Sequence, residues 1–146
     1  MRKFKLKTDF KKILADTLTP VSVYLKIRDK YPNSILLESS DYHGNENSFS
    51  YICCNPIASI EIKDGSVREL FPDGSSRSEH FNKENKVSDI IQAFGEQFET
   101  EKLPFKFINN GLFGYVSYDA VRYFEDIDIT KKEDLDIPDI YYAVYQ

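Results

Sequence analysis

No stretch of this sequence is apolar for the roughly 20 residues that a transmembrane helix needs. The opening MRKFKLKTDFKK is charged and lacks the apolar centre of a signal peptide. Positive charge is not in excess either: 19 Lys and Arg stand against 24 Asp and Glu, for a net charge of −5. Nucleic acids and anionic membranes are bound through basic patches, so both are disfavoured as partners. Lys3, Lys5 and Lys7 alternate with apolar residues and read as the wet face of a strand. Cysteine is scarce, with only the adjacent Cys53 and Cys54. Neighbours in a strand point to opposite faces, which excludes an ordinary disulfide between them. Two sulfurs with no nearby histidine also make a poor zinc site. The expectation is two reduced strand cysteines, at least one in the core, in a reducing cytoplasm.

Tryptophan is absent, and so is a Gly-rich phosphate loop. GLFGY has no lysine and opens no phosphate-binding helix. No nucleophile elbow occurs. The two histidines, His43 and His80, fall in polar loops or edges, where solvation is the commoner role. The acidic pairs Glu125-Asp126 and Glu133-Asp134 belong to a charged connection and read as solvated. Spacing alone therefore yields neither a catalytic constellation nor a metal site.

What the sequence has is 146 residues, 41% of them apolar and 14% aromatic, enough for one domain with its own core. KFKLK alternates, with Phe4 and Leu6 on one face, and predicts a strand. Thr19-Pro20 supplies a helix cap and a first helical residue, and Val21, Tyr24, Leu25 and Ile27 recur at helical spacing until Pro32-Asn33-Ser34. SILLESSDY and SFSYICC predict a hairpin around a polar loop. IASIEIKDGSVRELF predicts a tighter one turning at Asp64-Gly65, with Ala58, Ile60 and Ile62 on one face. FPDGSS gives a third turn, before a weaker strand over 77–81. Val87, Ile90, Ile91, Phe94 and Phe98 form the clearest helical stripe; Gly95 weakens that helix by about 1 kcal/mol relative to alanine.

Asn110-Gly111 reads as a turn, Leu112 to Ser117 as a strand, and Tyr118 to Glu125 as a helix with Tyr118, Val121 and Phe124 on one side. Tyr115 and Tyr118 are expected to pack at this junction. Arg122 is spaced to pair with Asp119 or Glu125. IPDIYYAVYQ is a strand with no turn after it, from which a fragment of something longer is expected. The predicted class is α+β: mostly antiparallel sheets, at least six strands and two or three packed helices, as part of a larger two-part fold.

Glu38 is the oddity. It follows Ile35, Leu36 and Leu37 and precedes two serines. The residues alone leave it either on the solvent side of a hairpin strand or serving a ligand.

LTPVSVYLKIRD, LLESSDY, SFSYICCNP, GLFGYVSYDAVRYFE and IPDIYYAVY occur in this order, over Thr19 to Tyr145. Together they resemble the N-terminal domain of anthranilate synthase component I, a family close to para-aminobenzoate synthase component I. LLES followed by GYVSYDAVR carries most of the weight. The family's usual Arg and Gly are missing from Ser48-Phe49-Ser50-Tyr51-Ile52-Cys53, and its Gly-Gly is Asn110-Gly111 here.

The resemblance implies that residues 1–146 are the N-terminal, regulatory domain of an enzyme whose C-terminal chorismate-binding domain lies outside this chain. That enzyme converts chorismate to anthranilate with ammonia from a glutamine amidotransferase, component II. It implies no cofactor in this part, and Mg2+ held with chorismate by the C-terminal domain. It further implies that Leu37, Glu38 and Ser39 contribute to the site where tryptophan binds and inhibits, Ser39 foremost. An amino acid needs an acceptor for its ammonium, donors for its carboxylate and an apolar wall. Glu38, Ser39 and Leu37 match those needs in type. The rival readings are the para-aminobenzoate enzyme and a free-standing binding or scaffold domain.

Overall fold

The structure is a computed structural model. It describes residues 2–38, 49–82, 86–108, 110–127, 129 and 136–146.

The described residues form three sheets. β4 (Pro56–Lys63), β5 (Ser66–Leu70), β6 (Ser76–His80), β8 (Phe113–Val116) and β9 (Ile140–Tyr145) form the largest, in the order β6-β5-β4-β9-β8, antiparallel throughout. β2 (Ile35–Glu38) pairs antiparallel with β3 (Ser50–Cys53), Leu37 opposite Tyr51 and Glu38 opposite Ser50. β1 (Phe4–Leu6) pairs with β7 (Phe98–Thr100), and these two are parallel. The α+β class with mostly antiparallel sheets therefore holds.

The local chemistry explains most elements. Asp64 and Gly65 both take positive φ, 48° and 72°, as a two-residue turn matched to strand twist requires. α1 (Pro20–Ile27) starts in a capping box. Ser22 N–H donates to Thr19 Oγ1, and Thr19 N–H to Ser22 Oγ, both at 3.1 Å. α2 (Val87–Gly95) buries Val87 and Phe94 against the inner face of the large sheet. That face carries Ala58, Ile60, Ile62, Val67, Ile140 and Val144, all but removed from water. β9 runs between β4 and β8, so its register positions the whole sheet.

Several expectations change. Phe98 does not extend the stripe of α2. The helix ends at Gly95, and Phe98 enters the parallel pair with Phe4, their rings stacked at 5.7 Å. The helix expected after Tyr118 is a 3-10 helix, Tyr118–Tyr123, which buries Ala120 and leaves Tyr118 89% exposed. Tyr118 therefore does not pack at the junction, whereas Tyr115 stacks on Tyr141. Three residues per turn eclipse i and i+3, so a face drawn at 3.6 residues per turn drifts away from the core. Along α1, Val21 and Leu25 remain exposed. Asn110 and Gly111 form a bend. The expected strand over 77–81 sits one residue earlier.

Arg122 pairs with neither Asp119 nor Glu125. Its Nη2 donates to Asp139 Oδ2 at 2.6 Å and lies 3.4 Å from Asp64 Oδ1. Tyr123 donates its hydroxyl to the same Asp139 oxygen at 2.5 Å. Helical spacing sees only partners within the helix, and the sheet supplied better ones. Burial alone would raise the Asp139 carboxyl; the bonds from Arg122 and Tyr123 outweigh it and hold the pKa below the ordinary value. Burial and the bond to Asp139 push the Tyr123 hydroxyl up to about 12. This node ties the 3-10 helix to the start of β9 and the β4–β5 turn.

Candidate functional site

The β2–β3 hairpin positions the residues singled out from the sequence. Side chains alternate across a strand, so Leu37 shares a face with its ladder partner Tyr51, and Glu38 takes the opposite face with Ser50. Both Leu37 and Glu38 are exposed at the end of β2. Ser39 lies outside the described residues, as does His43. Leu37 and Glu38 are thus neighbours in sequence but not on one surface of the hairpin.

The face that carries Tyr51 borders a cleft of about 530 Å3. Its walls are aromatic and aliphatic: Tyr51, Ile52, Leu103, Phe105, Phe107 and Phe113, with Lys11, Lys12 and Gln146 also contributing. The wall is built by ring contacts. Phe105 stacks on Phe107 at 4.9 Å, Phe10 meets Phe105 edge-on at 4.9 Å, and Tyr51 packs on Phe113 at 5.5 Å. Tyr145, at the end of β9, lines the same cleft and donates its hydroxyl to the carbonyl of Asn33 at 3.1 Å. That bond links the large sheet to the segment leading into β2.

Cys53, also in the wall, is a free buried thiol. Burial pushes its pKa up and neighbouring Cys54 adds to the rise. Reactive cysteines need the reverse, so Cys53 is packing rather than nucleophile. The arrangement offers an apolar, partly open cavity with cationic groups at hand. That suits a small molecule with an aromatic body and an anionic group, and the volume falls within the roughly 300–1,000 Å3 of small-molecule sites. Among the described residues no group of three or more His, Cys, Asp or Glu side chains could hold a metal ion. Among the described residues no helix is long and apolar enough to cross a membrane.

The cleft was not anticipated. Phe105 and Phe107, two residues apart in KLPFKF, were its available sequence signal. Their gathering with Phe10 and Phe113 around one cleft depends on segments far apart in the chain.

No family model matches the chain. Curated proteins do. Anthranilate synthase component 1 of Lactococcus lactis is 32% identical over 139 residues, 93% of this chain and 28% of the relative. The protein of the same name from Thermus thermophilus is 34% identical over 133 residues, 91% of this chain and 27% of the relative. That of Pseudomonas putida is 33% identical over 130 residues, 87% of this chain and 26% of the relative. The chain is similar to anthranilate synthase component 1. It spans about a quarter of the length of these curated relatives. The matched span is nine-tenths of the chain or close to it in each case. Cys53, at the missing glycine's place, is accommodated in the cleft wall.

Proposed function

We propose that the chain is the N-terminal, regulatory part of an anthranilate synthase component I. The full-length enzyme forms anthranilate and pyruvate from chorismate, with ammonia delivered by a glutamine amidotransferase partner. Chorismate and Mg2+ are assigned to the C-terminal domain, beyond this chain, and this part is catalytically inactive alone. Its contribution is the lip of a tryptophan feedback site formed by Leu37, Glu38 and Ser39. The observation that carries the reading is similarity over about nine-tenths of the chain to proteins of that one name.

The local chemistry supports it. Leu37 shares a face with Tyr51, and an aromatic cleft wall stands beside that face. An indole needs both. In such an enzyme tryptophan inhibits by contacting one domain arrangement better than another.

The test is Ser39→Ala in the full-length enzyme. Tryptophan inhibition should weaken roughly tenfold, the effect of about one lost hydrogen bond to a charged group, while uninhibited turnover stays near that of the parent. Unchanged inhibition removes Ser39 from the site. A product identified as 4-amino-4-deoxychorismate rather than anthranilate moves the whole reading to the para-aminobenzoate enzyme.

A further inference from the structure

The two edges of the large sheet differ in kind. β6 reads Ser-Arg-Ser-Glu-His, exposed throughout. Charged side chains of this sort keep an open edge from pairing with other strands. β8 reads Phe-Gly-Tyr-Val and has no charge at all. Its inner side is fixed to β9, and beyond it Ser117 N–H donates to the Asp139 carbonyl at 2.7 Å. Hydrogen-bonding direction alternates along an antiparallel strand. The backbone groups of Gly114 and Val116 therefore point away from β9, and no described residue bonds to them. Tyr115 is 41% exposed, Val116 49% and Tyr118 89%. An uncharged, unprotected edge flanked by exposed apolar side chains is a template for another strand.

We infer that β8 is a docking edge, to which an extended segment from the remainder of the full-length polypeptide adds as a sixth strand. This rests on the reading above, in which the polypeptide continues as its relatives do, over about four times the matched span. Main-chain bonds to Gly114 and Val116 would supply the pairing. Alternate apolar side chains of the incoming strand would meet Tyr115 on one face and Val116 on the other. A charged residue there would lose water without a partner. A tethered segment is favoured over a second copy because β8 has only four residues. So short a ladder gains much from the high effective concentration of a covalent link.

Hydrogen exchange on the full-length polypeptide tests this, with two internal standards. The amides of Gly114 and Val116 should exchange slowly, like those of Ile60 and Ile62, while the charged β6 edge exchanges fast. Fast exchange at Gly114 and Val116 overturns the proposal. Protection that disappears on dilution also overturns it, because the occupant is then a second copy. Val116→Pro removes one outward N–H and no β8–β9 bond. It should speed exchange at Gly114 by roughly tenfold or more and leave Ile60 and Ile62 slow. Unchanged exchange at Gly114 counts against docking. If the variant does not fold, as fast exchange at Ile60 would reveal, the parent protein's result decides. Exchange is read independently of turnover. A protected edge in a protein that makes no anthranilate keeps the docking and removes the function; an open edge in an active enzyme does the reverse.

Discussion

At the scale of single residues, the buried carboxylate of Asp139 depends on its partners, Arg122 and Tyr123. Its side chain is wholly removed from water, and its charge is balanced by Arg122. Removing one partner of such a pair leaves an uncompensated buried charge, which costs about 3–5 kcal/mol. Arg122→Met should therefore lower stability by about that amount at pH 7, measured by urea unfolding. The pH dependence distinguishes this cause from simple loss of packing. In the parent, the folded-state pKa of Asp139 lies below its unfolded value. The stability it contributes is present above about pH 3.9 and is lost as pH falls through the folded value. Without Arg122 burial is opposed only by the Tyr123 and backbone bonds, so the pKa rises and protonation relieves part of the cost. The deficit of the variant should shrink as pH is lowered from 7 towards 4. A deficit that stays constant over that range assigns Arg122 a packing role instead. Glu69 shows the contrasting case inside the same sheet. Burial raises its pKa, and Arg77, its ion-pair partner, offsets that only in part.

At the scale of elements, two glycines of similar appearance in the sequence have opposite roles. Gly95 closes α2, where a Cβ would meet only Leu112 Cδ1 at 3.5 Å, an ordinary contact. Gly114 sits in β8, where a Cβ would fall 1.9 Å from the carbonyl oxygen of Tyr141. Gly95→Ala should raise stability by about 0.5–1 kcal/mol, through helix propensity and a less flexible unfolded chain. Gly114→Ala should lower it by about 1–3 kcal/mol or more, because backbone must move to admit the methyl group. Thermal melts of the two variants check both signs; equal shifts would mean that β8 and β9 are not so close. Local pattern made the elements themselves legible. The Thr19-Pro20 cap, the Asp64-Gly65 turn and the Ile60/Ile62 alternation each act within a few residues, and each formed as expected. The parallel pairing of β1 with β7 was not legible, since it joins residues more than ninety positions apart and leaves no periodic trace.

At the scale of the whole molecule, the same limit applies to the candidate site. The order of motifs pointed to LLES, and the hairpin register then set Leu37 and Glu38 on different faces. The aromatic cleft next to that hairpin is assembled from residues 8–12, β3, the 103–108 segment, β8 and the end of β9. No spacing rule could gather these, because only the completed fold does so. The cleft is also open, and the proposed remainder of the tryptophan site belongs to another domain. Affinity for a small ligand depends on how much of it is enclosed and how many of its polar groups are matched. A site with one wall and one lip should therefore bind tryptophan weakly. Calorimetry with the 146-residue chain is expected to show a Kd in the high-micromolar range or weaker, or no heat at all, whereas the full-length enzyme binds at least a hundredfold more tightly. That factor corresponds to roughly 2.7 kcal/mol, the contribution of a few matched polar contacts. Submicromolar binding by the 146 residues alone would show that the pocket is complete within them, and the division of the site between two domains would be abandoned.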